Sequence, residues 1–351
     1  MNSFSAPDPR ESRLEEIRQQ AEEKGRVSLP GIRPAGSPLP IASPENGYYQ
    51  QPLLKEPQWT PLIPLYFFVG GASGSLGVIG SLADLLGGDA KLAQRARWMA
   101  LGGAAVSSVL LIADLGKPSR FLHMLRVFKP QSTMSMGSWV LSAFSTFAGI
   151  SAFADVLALG FGNGFTVRAL RGIGRIGSVL FGMPFHNYTG VLIGASAIPV
   201  WNKRVRSLPR QFGMSGLQSA VGLLELTGSS RNSALNAIGL LSAGFESWQG
   251  IDLLRTHDRA LRPAKQHASG VLIQAAGVLS GPLPIALRIV AATRGRSKQL
   301  RRFAALCGIL GSLCMRYGWV RAGILSSRDW KIPLQIGAAS ANNQDAAPKQ
   351  K

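Results

Sequence analysis

Residues 61–86 read PLIPLYFFVGGASGSLGVIGSLADLL, a run in which Asp84 is the one charged side chain. An α-helix needs about 20 apolar residues to cross a hydrocarbon core of about 30 Å, and this run is longer. A segment in lipid must satisfy its backbone hydrogen bonds internally, which a helix does. The stretch therefore predicts a transmembrane helix.

Apolar runs of similar length recur along the chain as far as residue 325. Each is long enough to span a bilayer as a helix, so we predict an all-α fold, a polytopic membrane bundle of about eight transmembrane helices. The predicted spans lie at about 61–86, 94–115, 137–160, 175–201, 208–228, 233–254, 268–293 and 299–325. Pro184, His186 and Asn187 interrupt the fourth span, where a kink or a re-entrant break is expected, and seven or nine spans are alternatives.

Composition supports the membrane class and indicates three parts. The 351 residues are 46% hydrophobic and 16% charged, too apolar for ordinary soluble domains. Residues 1–60 form a polar, Pro-rich N-terminal arm that we expect to be partly disordered. Residues 61–325 form the transmembrane domain, and residues 326–351 form a polar C-terminal tail. The charged start, 1–26, lacks the apolar core of a signal peptide, so the first span is expected to direct insertion.

The net charge of +20 does not indicate nucleic-acid binding in this sequence. The basic residues fall in short clusters between apolar runs, as in 203–210 and 294–302. Clusters at such positions pair with anionic lipid headgroups and influence topology. We therefore predict membrane lipids, and no nucleic acid, as the partners of these charges.

The cysteine and histidine content argues against a redox cofactor in this chain. Cys307 and Cys314 lie about 10 Å apart along a helix, too far to form a disulfide. The sequence has no cysteine-rich set for an iron–sulfur cluster or zinc site. His186 is the one histidine within a predicted span, whereas membrane b-type haem needs paired axial ligands. We expect neither haem, nor an iron–sulfur cluster, nor another metal in this chain.

Ionisable groups at membrane depth are costly and are the default candidates for function. Glu225 and Glu246 lie in apolar spans, and each is interpreted either as functional or as the partner of Arg316 or of a hydroxyl group. A further set of acids lies near predicted span ends: Asp84, Asp155 and Asp252. For this set we favour interfacial solvation or helix capping.

The richest segment, residues 113–139, reads ADLGKPSRFLHMLRVFKPQSTMSMGSW. Glycine and proline end the second span just after Asp114. Arg120, His123 and Arg126 follow at intervals of three, which places them on about one face of a short amphipathic helix at the membrane interface. The segment predicts a headgroup-level pocket containing an acid, a histidine and arginines.

Such a pocket suits quinol chemistry, because oxidation of a quinol releases two protons that a carboxylate or imidazole must accept. Asp114 and His123 are the candidate catalytic groups. The alternative is a lipid-headgroup anchor containing an Asp114–Arg120 ion pair. Tyr188, in the segment PFHNYTGVLIGASAIPVW, is a candidate donor to a quinone carbonyl, or else a polar contact between helices.

Several motifs together resemble the NrfD/polysulfide-reductase membrane-subunit family. They are PLYFFVGGASGS, LADLLGG, RARWMALGG, IADLGKPSRFLHMLRVFKPQSTMSMGSW, YTGVLIGASAIPVW and RYGWVRAG, in order over most of residues 60–325. The resemblance implies an eight-helix, haem-free, multi-pass subunit of the bacterial cytoplasmic (inner) membrane that binds menaquinol or ubiquinol near one face. It implies electron exchange with a [4Fe–4S] ferredoxin-like partner subunit, which is often joined to a molybdopterin catalytic subunit.

Within that resemblance, Asp114, Arg120 and Tyr188 match the motifs and are carried over as quinol-site candidates. His123 and Glu225 rest on the chemistry of the residues, with Glu225 a candidate quinol-binding group. Such a chain would be a non-autonomous subunit of an oxidoreductase.

Two other functions are compatible with the sequence. One is a proton-translocating or transporter-like protein with Glu225, Glu246 and Arg316 as a relay. The other is a membrane anchor subunit without quinol turnover. The sequence favours the quinol interpretation, because its polar groups concentrate at one interfacial segment, whereas a relay needs carboxylates spaced through the membrane.

Overall fold

The computed structural model describes residues 54–293 and 297–329, together with a few positions between 13 and 23. The chain divides into two compact units, Met1–Gln51 and Pro52–Lys351. The described positions of the first unit are helical and exposed. Most of the predicted arm and tail, 1–60 and 326–351, lies outside the described residues.

The second unit is built of helices, and no strand occurs within residues 54–293 and 297–329. In chain order they are α1 Leu62–Leu85, α2 Ala90–Asp114, α3 Ser119–Arg126, α4 Thr133–Phe161, α5 Phe165–Gly194, α6 Pro199–Asn202, α7 Leu208–Leu224, α8 Ser233–Arg255, α9 Arg262–Lys265, α10 His267–Ser280, α11 Pro282–Thr293 and α12 Lys298–Arg328. A π-helical turn, Glu225–Ser229, extends α7, and a 3₁₀ turn, Arg259–Leu261, precedes α9. The predicted all-α bundle is confirmed.

Long helices occupy all eight positions at which spans were predicted. Within the described part of the chain, five helical segments are long and apolar enough to cross a membrane: α1, α2, α4, α12 and the continuous stretch His267–Thr293 that joins α10 to α11. The remaining predicted positions correspond to α5, α7 and α8. The chain is therefore a polytopic helical membrane protein, and the number eight stays a prediction.

The fourth predicted span differs in its bounds and its continuity. The sequence predicted 175–201 with a kink or a break at Pro184, but α5 runs from Phe165 to Gly194 with Pro184 inside it. The backbone of α1 packs closely against α5 just after Pro184: a Cβ on Gly74 would lie 2.8 Å from the backbone nitrogen of His186. Neighbouring helices allow a proline to remain inside a membrane helix, so the expected re-entrant break is not formed.

Small residues on α1 pack against neighbouring helices. Ser73 donates to the carbonyl of Ala100 at 2.6 Å. A Cβ on Gly70 would lie 3.2 Å from the ring of Phe185, and one on Gly77 would overlap the ring of Phe144. These close approaches hold α2, α4 and α5 around α1.

Successive long helices run antiparallel and give the bundle two ends. Thr60, before α1, hydrogen-bonds Asp114 at the end of α2, and the start of α7 at Leu208 packs on Gly190 near the end of α5. We call this the Asp114 end. The 17 residues of α7 rise about 25 Å, so Glu225 lies at the opposite end, which we call the Glu225 end.

Candidate functional site

Asp114 is a half-buried carboxylate held at the end of α2. The helix stops because Gly116 adopts φ +71°, a conformation that favours glycine. The Oδ1 atom of Asp114 accepts hydrogen bonds from the hydroxyl of Thr60 and, at 3.3 Å, from its backbone N–H. Since both bonds go to Oδ1, the second carboxylate oxygen keeps its capacity to accept a proton or a hydrogen bond.

Arg120 and His123 lie on α3, the short interfacial helix that the sequence predicted, and both side chains are exposed. Arg120 donates through Nη1 to the carbonyl of Leu115 at 3.1 Å. Among the described residues, no ion pair joins it to Asp114, so the Asp114–Arg120 pair of the alternative interpretation is not formed. Phe121, on the other face of α3, packs against the apolar core.

Tyr188 is buried between α5 and the start of α4. Its hydroxyl donates to the carbonyl of Thr133, and the absence of a side chain at Gly137 makes room for its ring. The structure therefore shows the polar inter-helix contact that was one of the two interpretations of this residue. Tyr188 lies at the Asp114 end, because Thr133 begins α4 directly after the segment that contains α3.

An open groove of about 350 Å³ lies at the same end, between the start of α1 and the last turns of α12. Its lining is aromatic, apolar and basic: Trp59, Thr60, Pro61, Pro64, Leu272, Tyr317, Val320, Arg321, Ile324, Leu325 and Arg328. Thr60 connects the groove to Asp114, since it lines the groove and also donates to the carboxylate. Asp114 thus lies one side chain from the groove.

The sequence interpretation did not identify this groove. The motif RYGWVRAG, residues 316–323, contributes Tyr317 and Arg321 to it, but their separation of about 250 residues from Thr60 conceals the association. Tyr317 donates to the carbonyl of Pro61 at 2.9 Å and so ties α12 to the start of α1. Arg321 is exposed. It is a cation bordering an apolar groove.

Glu225 lies apart from these candidates, at the Glu225 end. Its two carboxylate oxygens accept from Arg288 at 2.7 and 2.8 Å, and the two side chains are 0% and 1% exposed. A Cβ on Gly239 would overlap the Arg288 guanidinium, so this glycine leaves the space that the arginine fills. Sequence reasoning missed Arg288, although one arginine inside the apolar run PLPIALRIVAAT was a usable signal.

Arg316 is fully buried at the centre of the bundle, and its donors are directed at backbone and hydroxyl oxygens. It donates to the carbonyl of Phe67 at 3.0 Å and to Ser215 Oγ and the Ser312 carbonyl at 2.8 and 2.9 Å. Glu246 is close enough for electrostatic interaction with Arg316, but it hydrogen-bonds Gln211 and forms no ion pair among the described residues. Glu225, paired with Arg288, does not pair with Arg316 as one interpretation expected.

The acids Asp84 and Asp155 lie in a cluster of arginines at the Glu225 end. Arg97 contacts both carboxylates, at 2.8 Å in the case of Asp155. Arg171 lies 3.1 Å from Asp155, and Arg175 lies 2.7 Å from Asp84. The favoured interpretation of these acids as solvated or capping groups was wrong, because they are largely buried, where a carboxylate is stable only beside a compensating charge.

In the part of the chain that the structure describes, no three His, Cys, Asp or Glu side chains cluster in a way that could hold a metal ion. Cys307 and Cys314 both lie on α12 as free, half-buried thiols.

These features define the class of the protein. It is a polytopic helical membrane protein with a half-buried carboxylate, an interfacial helix and an open groove at one end of the bundle. The sequence profile of the family described as "Polysulphide reductase, NrfD" matches residues 53–234, just over half of the chain. The chain belongs to this NrfD family. No curated protein matches the chain.

Family membership gives the chain a place in a larger assembly. It is a membrane subunit of a polysulfide reductase-type complex and partners with other redox subunits. The matched region extends from the segment before α1 to the start of α8. It therefore contains all five residues that the sequence proposed for the site: Asp114, Arg120, His123, Tyr188 and Glu225.

Proposed function

We propose that this subunit exchanges electrons between a membrane quinol or quinone and a [4Fe–4S] ferredoxin-like partner subunit in the bacterial cytoplasmic membrane. Menaquinol or ubiquinol is the proposed substrate, and a molybdopterin catalytic subunit is the proposed further partner. One observation carries the proposal: the Asp114–Thr60 pair borders an open groove at one end of the bundle. The groove's volume of about 350 Å³ is in the range of small-molecule sites, about 300–1,000 Å³.

The lining of the groove suits an amphipathic ring with an isoprenoid tail. Pro64, Leu272 and Ile324 offer apolar contact, and Trp59 offers an aromatic face. Arg321 supplies a hydrogen-bond donor for a ring oxygen. A quinol bound here would place its head group beside Thr60 and its tail toward the lipid.

Oxidation of the quinol yields quinone, two protons and two electrons. Asp114 is the proposed first proton acceptor, since one of its oxygens is not engaged by Thr60. His123, exposed on α3, is proposed to pass protons to water. The electrons go singly to the partner's cluster, because no haem or cluster is proposed for this chain.

Arg120 and Tyr188 have supporting parts in the proposal. Arg120 is exposed at the same end but outside the lining of the groove, so its proposed part is to add positive charge beside the site. Tyr188 also lies outside the lining, and its hydroxyl is engaged by Thr133, so its proposed part is to hold α4 and α5 together at this end. Glu225 is left out, because Arg288 occupies both of its oxygens at the far end of the bundle.

The test is quinol-dependent cluster reduction in the purified complex with its partner. A reduced menaquinol analogue is added, and cluster absorbance is followed in the wild type and in Asp114→Asn. Loss of a general base typically costs about 10²–10⁴-fold in rate, and we expect a loss in that range. Asp258→Asn, a carboxylate of the same end that pairs with Lys203, is the matched control and should keep the wild-type rate.

The outcomes separate the candidate functions. No reduction in the wild type would contradict the proposed function and favour an anchor subunit without quinol turnover. Reduction that survives Asp114→Asn unchanged would remove Asp114 from the site while leaving the function in place. Proton flux into liposomes that contain this chain alone would instead favour the transporter-like alternative.

A further inference from the structure

A second cavity, more enclosed than the groove, lies between α7, α8, α10 and α12. Its volume is about 20 Å³, which is room for one water molecule. Part of its lining is apolar, including Ile273 and Met315, but four polar side chains also reach it: Arg204, Gln211, Glu246 and Gln249. A cavity of this size with several polar partners meets the conditions for a buried water.

Two residues of the lining, Glu246 and Trp319, each carry a buried polar atom that has no partner among the described residues. Glu246 is 3% exposed, and its Oε1 accepts no hydrogen bond from them. Trp319 is 1% exposed, and its indole Nε1–H donates none to them. A buried polar group without a hydrogen-bond partner is destabilising, so two such groups on residues that line one cavity need an explanation. One is an acceptor and the other a donor.

We propose that this cavity is a binding site for a single water molecule. The water donates to Glu246 Oε1 and accepts from the Trp319 indole N–H. Its second proton is directed to the amide oxygen of Gln249, which also lines the cavity. The two unpaired atoms then have partners, and the water makes three hydrogen bonds, the usual number for a buried water.

The charges around the cavity select water over a cation. Arg204 lines the cavity, and Arg316 acts electrostatically on Glu246. A negative charge on Glu246 is therefore already opposed, and the charge of Arg204 is opposed by Asp252. A sodium ion would add an uncompensated positive charge to a buried site, whereas water adds none.

Arg204 closes the site toward the Asp114 end. Its guanidinium lines the cavity, and it also donates to Asp252 and, at 3.4 Å, to Thr256 Oγ1. The side chain of Asp252 is 46% exposed, so the ion pair that holds Arg204 reaches the protein surface. Exchange of the bound water with solvent then depends on how firmly Asp252 holds Arg204.

The test is hydrogen–deuterium exchange of the tryptophan indoles in nanodiscs, followed by NMR of ¹⁵N-labelled indoles. Trp201 is the matched control, since it is 1% exposed like Trp319 but donates its Nε1–H to the Trp319 carbonyl at 2.8 Å. Trp319→Phe and Trp201→Phe assign the two signals. We expect the Trp319 indole to exchange at least about tenfold faster than that of Trp201, because a mobile water carries its proton away. Equal protection of the two indoles would overturn the proposal.

Two further measurements make the test independent of any single variant. Asp252→Asn should accelerate exchange at Trp319, and Asp258→Asn should not; an unchanged rate in Asp252→Asn would overturn the assignment of Arg204 as the closing residue. A high-resolution cryo-EM map of the wild type should show water density within hydrogen-bond distance of Glu246 Oε1 and Trp319 Nε1. A well-ordered cavity without that density would also refute the site. Neither measurement involves quinol.

Discussion

The bundle should unfold at a markedly lower temperature when Arg288 is replaced by methionine. Arg288 is 1% exposed and donates two hydrogen bonds to Glu225, which is 0% exposed, and a third to Asn236 at 3.2 Å. Methionine fills a similar length with apolar atoms but supplies no charge. The substitution leaves the Glu225 carboxylate buried without its bidentate partner.

The size of the effect depends on the burial of the pair. Removing one partner of a buried ion pair costs about 3–5 kcal/mol, because the remaining charge is uncompensated. An exposed pair contributes about 0–1 kcal/mol, so Arg328→Met is the matched control: Arg328 and Glu56 are 61% and 41% exposed. At about 2–4 °C per kcal/mol, Arg288→Met should lower Tm by roughly 6–20 °C, and Arg328→Met by less than about 4 °C.

The assay is thermal unfolding in detergent micelles, followed by intrinsic fluorescence at constant detergent and protein concentration. A third variant, Glu225→Met with Arg288→Met, should recover at least half of the lost Tm, because replacing a whole buried pair by apolar side chains is often neutral or stabilising. Two results would refute the reasoning: a loss in Arg288→Met no larger than that in Arg328→Met, or a double variant as unstable as the single one.

Three further predictions concern other parts of the bundle. Leu325→Trp should fill part of the groove and raise the KM for a quinol analogue about tenfold with little change in Tm; an unchanged KM would argue against quinol in the groove. Gly71→Ala should lower the free energy of unfolding by about 1–3 kcal/mol, because the new Cβ would lie 2.8 Å from Arg316 Nη2. The measurement is the fall in Tm relative to the wild type. The hydrogen bond from Lys203 lowers the pKa of Asp258, so the pair stabilises the fold above the unfolded pKa of about 3.9 and loses that effect as pH falls through the lower folded value. Lys203→Met should therefore lower the free energy of unfolding at pH 7 by under about 1 kcal/mol, seen as a slightly lower Tm, and the difference from the wild type should shrink as pH falls below about 3.9; a pH-independent difference would contradict this.

The amino-acid sequence was sufficient for the fold class and for the approximate positions of the long helices. A long apolar run in lipid has no water to hydrogen-bond its backbone, so its helical state follows from composition. The short helix α3 was also predictable, because glycine and proline end α2 and a three-residue spacing of polar side chains comes next.

Only the packing of the helices shows which polar groups lie in contact. Arg288 is the partner of Glu225, and Asp84 and Asp155 share a cluster of arginines, although sequence reasoning offered other partners or none. The groove near Asp114 joins Thr60 to α12 from the far end of the sequence. The physical reason is that in a membrane helix both the lipid-facing and the interior-facing side chains are apolar, so periodicity does not show which face is buried or against which helix it packs.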